Sequence, residues 1–165
     1  MKLVPPENAI LRRSPSIVED PKSPEILELV KEMYEFLEKN NGVGLSANQI
    51  GIDKRIFVLS CSSYKEAFIN PEITSFSSQT VLLEEGCLSY PGVFAHVKRP
   101  IACNISYYNE RGELQTDTNF GGITSRIIQH EYDHMEGRFF YHHLSNLQFE
   151  RFKKRLKKNG FSLSY

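Results

Sequence analysis

The sequence predicts an α+β fold, with antiparallel sheets packed around a central helix, a second helix near the N-terminus and a third at the C-terminus. Three observations predict it. Four short runs rich in β-branched and aromatic residues, at 55–59, 81–83, 93–97 and 101–108, follow one another without a βα alternation. Apolar residues recur at helical spacing near the start, in the last third and at the end of the chain. The chain has 165 residues, 40% of them hydrophobic, which suits one globular domain over 1–165 with a sizeable core.

The stretch up to Pro24 is rich in proline and polar residues and reads as extended chain wrapped on the rest. Ser23 then offers an N-cap and Pro24 a first helical position. Ile26, Val30, Met33 and Leu37 repeat at helical spacing until Asn40, Asn41 and Gly42 stop the helix. Gly42-Val43-Gly44-Leu45-Ser46-Ala47-Asn48-Gln49 lets backbone come close to a ligand and ends in a carboxamide that can donate a hydrogen bond; taken alone, a simple helix-to-strand turn is the better explanation. The four strand-like runs follow, and Asn109-Glu110-Arg111-Gly112 forms a turn after the last.

The central helix carries His130 and His134 with Glu131 between them. Positions i and i+4 share one helical face, so the two imidazoles can grip one metal ion while the carboxylate reaches water beside it. Ile123, Ile127, His130 and His134 stay within an arc of roughly 60° at about 100° per residue, which extends an apolar stripe into the core. Gly137 offers the helix stop. Catalytic metal sites commonly take three protein ligands and leave a position open. Cys87, in Glu85-Gly86-Cys87-Leu88-Ser89 just past a strand, is the candidate third, brought to the helix on a backbone bent by Gly86, Pro91 and Gly92. Cys61 and Cys103 read as buried small hydrophobes, and three cysteines without dense spacing argue against a disulfide framework and for a reducing compartment.

Twenty basic residues balance twenty acidic ones, so bulk charge implies neither DNA nor a membrane surface as partner. No apolar run of about 18 residues is present, and the first residues lack the apolar core of a secretory signal, so a cytoplasmic location is expected. At the end, 149–159 places Phe149, Phe152 and Leu156 on one face and Arg151, Lys153, Lys154, Arg155, Lys157 and Lys158 elsewhere. That pattern is a docked helix with a solvated charged face, or a contact with RNA or another polyanion.

Gly-x-Gly-Leu-x-Ala-x-Gln, Glu-Gly-Cys-Leu-Ser and Gln-His-Glu-x-Asp-His, in this order and at these separations, resemble the three signature motifs of the peptide deformylases. Ile10-Leu11-Arg12, Val97-x-Arg99 and Gly137-x-x-Phe140 extend the likeness over most of the chain. The resemblance implies a hydrolase of protein biosynthesis that removes the formyl group from N-formylmethionine of newly made polypeptides and releases formate. It implies Fe2+ as native metal, with Zn2+, Ni2+ or Co2+ able to take the site. It also implies Cys87, His130 and His134 as ligands, Glu131 as general acid and base, and Gln49 with the Leu88 N–H as the oxyanion hole. Val43, Gly44, Leu83, Ile123 and Ile127 become candidates for the substrate pocket, and the basic C-terminal segment a candidate ribosome contact.

Glu85 and Asp133 are expected to orient a ligand or a basic neighbour such as Arg126. His96, His142 and His143 read as surface residues. Ser46 stands where the family most often has Ala and His142 where an acidic residue is common, and neither is expected to touch the chemistry. Two other readings compete. In a zinc endopeptidase His142 or His143 would supply the third ligand, and in a structural metal domain four ligands would close the site.

Overall fold

The computed structural model describes residues 1–61 and 64–163. Its elements in order are α1 (Pro24–Lys39), β1 (Gly44–Ser46), β2 (Ile56–Cys61), β3 (Tyr64–Phe76), β4 (Thr80–Cys87), β5 (Tyr90–Pro100), β6 (Ala102–Tyr108), β7 (Leu114–Gly121), α2 (Gly122–Met135) and α3 (Asn146–Lys158), with short 3-10 turns at Ala9–Arg12, Ala47–Ile50 and Phe140–His143. All strand pairings are antiparallel, in a five-stranded sheet ordered β1-β2-β3-β6-β7 and a separate hairpin of β4 and β5. The fold is α+β, as expected.

The first 23 residues run irregularly over this frame and are tied to it. Val4 N–H donates to the Gln49 carbonyl, Arg55 N–H to that of Ser16, and the Asn70 carboxamide bonds both main-chain groups of Val18. Leu11 and Val18 anchor the stretch in the core.

The hydroxyl of Ser23 caps α1 by accepting from Ile26 N–H. Ile26, Val30, Met33 and Leu37 are all buried against β1, β2 and β3. Each such side chain contributes about 1.5–3 kcal/mol on burial. Three strands lie outside the sequence reading. Leu45 in β1 sits in a run of three residues, too short to show a period. β3 contains Pro71 and a positive φ at Asn70, and its pairing with β6 slips there, the bulged setting in which a strand tolerates proline. β7 is a half-polar edge strand, Leu-Gln-Thr-Asp-Thr-Asn-Phe-Gly.

α2 packs on β1, β2, β6 and β7, with Ile127, Ile128 and Met135 joining Phe57, Phe68 and Ile105 in one apolar cluster. Gly137 follows it with φ +66, the left-handed turn that ends the helix. The stripe expected on α2 is interrupted at its start, since Ile123 is 56% exposed and faces a cavity instead of the core. Cys103 is buried, whereas Cys61 is only half-buried at the end of β2. α3 docks on β5 through Phe152 and Leu156 and leaves Arg151, Lys154, Lys157 and Lys158 in solvent. Among the described residues no helix is long and apolar enough to cross a membrane.

Candidate active site

Three elements meet at one point. α2 presents His130 and His134 from successive turns, β1 passes beside them, and the β4–β5 hairpin delivers Cys87 at a bulge between Gly86 and Cys87. The ligand atoms of Cys87, His130 and His134 all lie within 4.8 Å of one another, and all three residues are buried. This is the one such group of metal-ligating side chains among the described residues. Cys87 Sγ is 3.4 Å from His134 Nε2. Burial would push the Cys87 thiol up, but the imidazoles beside it outweigh that and pull it well below the usual thiol range.

This donor set fits a metal ion. One soft sulfur and two imidazole nitrogens converge, and a cavity of about 410 Å³ reaches Cys87 and His130 from outside. The His130 ring is fixed from behind, with Nδ1 donating to Glu85 Oε2 at 3.0 Å, which leaves Nε2 for the centre. His134 is wedged edge-on against Phe139, ring centroids 5.2 Å apart, and the Asn48 carboxamide donates to its carbonyl at 2.7 Å.

Glu85 is the hub of the wall behind the site. Its carboxylate accepts from Arg99 at 2.6 and 3.0 Å and from Arg126 at 2.6 Å, besides His130. Burial would raise its pKa, yet the bonds from His130 and Arg99 dominate and hold it at about 2. Arg99 then reaches Asp133 at 2.9 Å, and Asp133 also pairs with His143 at 2.7 Å. The orienting parts foreseen for Glu85 and Asp133 are thus both seen. Arg99, which joins the two carboxylates, carries a part that the sequence did not signal.

Glu131 lies 4% exposed on the cavity wall, and burial raises its carboxyl above the usual range. Contrary to the expectation for Ser46, its hydroxyl donates to Glu131 Oε2 at 2.7 Å. Gly44 stands on the other side of the same carboxylate, where a Cβ would come within 2.9 Å of Glu131 Cγ and Cδ and closer still to Oε1. Gln49 Oε1 accepts from Ser46 N–H at 2.9 Å, which turns Nε2 toward Ser89 Oγ at 3.1 Å and Cys87 Sγ at 3.4 Å. Leu88, in the turn of the hairpin, borders the same cavity.

Val43, Gly44, Ile123 and Ile127 also line the cavity. Leu83 does not. It is 43% exposed on β4, and the residues of that strand that reach the cavity begin at Glu84. His96, His142 and His143 are exposed, and His142 accepts from Phe139 N–H through Nδ1. Since His143 is engaged by Asp133, neither residue downstream of His134 joins the cluster as an endopeptidase ligand would. Nor does a fourth ligand close the group among the described residues.

Comparison with known proteins points the same way. A family model described as polypeptide deformylase matches residues 1–150. A peptide deformylase of a Synechocystis species is 40% identical over 143 residues, covering 84% of this chain and 75% of its own. One of Wolbachia pipientis is 34% identical over 169 residues, with 94% and 93% covered. Among solved structures, a Synechococcus elongatus peptide deformylase crystallised with actinonin superposes with a TM-score of 0.90 at 31% identity, covering 98% of this chain and 87% of that one. A Plasmodium falciparum peptide deformylase bound to an inhibitor gives 0.85 at 35% identity, with 96% and 98% covered.

Proposed function

The chain belongs to the polypeptide deformylase family, and from that premise we propose how its own residues carry out the family's reaction. That reaction is the removal of the formyl group from N-formylmethionine of newly synthesised polypeptides, with release of formate. We assign Cys87, His130 and His134 as the ligands of its metal cofactor, Fe2+ in the native enzyme, with Zn2+, Ni2+ or Co2+ as substitutes. When bound, the ion supplies Lewis acidity, lowering the pKa of water at its open position and polarising the formyl carbonyl.

The substrate enters the cavity with its methionine side chain against Val43, Ile123 and Ile127. Its formyl end points toward Gly44, whose missing Cβ lets the Glu131 carboxylate lie against β1 at that end of the cavity. Glu131 accepts the proton of the attacking water as the new C–O bond forms at the formyl carbon. Negative charge then builds on the formyl oxygen, and Gln49 Nε2 and the Leu88 N–H donate to it. Each such donor is worth about 3 kcal/mol of the barrier. Glu131 returns the proton to the departing nitrogen, the C–N bond breaks, and formate and a free N-terminal methionine leave.

The observation that carries this reading is the convergence of one sulfur, two imidazoles and one buried carboxylate, with Cys87, His130 and Glu131 on the wall of one cavity and His134 fully buried beside them. Glu131→Gln, assayed for formate release from a formyl-Met peptide alongside elemental analysis, tests it. Metal should be retained and turnover lost; full activity in the variant would overturn the assigned base.

We further assign residues 1–165 to one catalytic domain working in the cytoplasm, where a reduced Cys87 can persist. The basic face of α3 is proposed to dock the enzyme at the ribosome, where its substrates emerge. Lys154, Lys157 and Lys158 standing free of the core support that assignment.

A further inference from the structure

We propose that Ser46 is a positioning residue that sets Glu131 and Gln49 in register with each other, an inference that rests on the parts just assigned to those two residues. Gly44 and Ser46 are two apart on β1 and share one face of the strand, while Leu45 between them points into the core. That shared face is pressed against Glu131. On one side the bare Cα of Gly44 lets the carboxylate approach, and on the other the Ser46 hydroxyl donates to Oε2 at 2.7 Å. The main-chain carbonyl of Glu131 is a second acceptor for that hydroxyl at 3.3 Å, but a hydroxyl has one proton and the carboxylate is both nearer and charged.

The same residue holds the other assigned group through its backbone. Ser46 N–H donates to Gln49 Oε1 at 2.9 Å, which fixes the carboxamide with its N–H groups toward Cys87 and Ser89. One residue, fully buried, is therefore bonded by its side chain to the proton acceptor and by its main chain to the oxyanion donor. One of these bonds spans 85 residues of sequence and the other three, and together they join the two groups through Ser46. Alanine at 46 keeps the backbone bond to Gln49 Oε1 and removes the hydroxyl with its contacts to Oε2 and to the Glu131 carbonyl, so the two halves of the unit can be separated experimentally.

The test compares wild type, Ser46→Ala, Glu131→Gln and the double variant, each loaded anaerobically with metal and assayed on a formyl-Met peptide. A buried hydrogen bond to a charged group corresponds to roughly tenfold or more in rate. In Ser46→Ala, kcat should fall about tenfold while KM, metal content and melting temperature stay close to wild type. Adding Ser46→Ala should leave the residual rate of Glu131→Gln unchanged, because the carboxylate through which Ser46 acts is gone. An unchanged kcat in Ser46→Ala overturns the proposal, as does an equal loss in both backgrounds. A fall in kcat that tracks loss of metal or of thermal stability also overturns it, since the serine would then be merely structural. If Glu131→Gln itself stays active, the assigned base fails instead, and the two failures are told apart.

Discussion

Gly44→Ala places one methyl group against the assigned general base, whose side chain supplies the three atoms nearest to it. Gly44 has no positive φ, so its backbone accepts alanine, and the strand pairing of β1 with β2 is untouched. The added Cβ would lie 2.9 Å from both Cγ and Cδ of Glu131, whereas ordinary contact begins near 3.4 Å. The carboxylate must therefore retreat by at least about 0.5 Å, and it cannot retreat freely because Ser46 holds its far oxygen. Displacements of this order at a reacting group cost up to about 100-fold in rate. Overpacking a core site costs about 1–3 kcal/mol, partly offset by about 0.5 kcal/mol or more from replacing glycine inside a strand. Formate release from a formyl-Met peptide should thus fall by one to two orders of magnitude with metal content unchanged and only a small shift in melting temperature. A variant that keeps wild-type kcat would refute the packing of Glu131 against β1.

Two further outcomes follow from the wall behind the site and from α3. Glu85→Gln should lower metal affinity about 10- to 100-fold by freeing His130, read by competition with a chelator, and should destabilise the metal-free protein by about 3 kcal/mol in a denaturant titration. The Glu85 pKa is depressed from 4.5 to about 2, so its contribution is present above about pH 4.5 and lost as pH falls toward 2. Metal-free wild type should lose about 3 kcal/mol over that interval and the variant should not; parallel pH curves would contradict it. Replacing Lys154, Lys157 and Lys158 by Glu should abolish co-sedimentation with ribosomes while leaving hydrolysis of a free formyl-Met peptide intact, and unchanged sedimentation would dispose of the docking assignment.

The parts of the fold that the sequence declared are those with a local signal. α1 announces itself through Ser23, Pro24 and a clean apolar stripe, and the bounds of β5 and β6 enclose or nearly match the runs of β-branched and aromatic residues at 93–97 and 101–108. β3 stayed hidden because its pattern is broken at the Asn70–Pro71 bulge, and β7 because an edge strand needs no apolar alternation. The metal cluster was legible since His130 and His134 share a helix and Cys87 sits in a distinctive loop. The contacts of Ser46 and Arg99 were not, because each joins residues far apart in the chain and no local spacing encodes them. Leu83 was placed in the pocket by the family resemblance, whereas the register of β4 gives the cavity Glu84, Glu85 and Gly86 instead.

X-ray absorption at the metal edge of anaerobically loaded enzyme addresses the ligand set directly. With zinc in the site, the spectrum should fit one sulfur at about 2.3 Å, two imidazole nitrogens at about 2.0–2.1 Å and a light-atom ligand from solvent, and Cys87→Ala should lose the sulfur shell together with tight binding. A spectrum without sulfur, or one that requires a fourth protein ligand, would contradict a Cys87, His130 and His134 centre open to substrate.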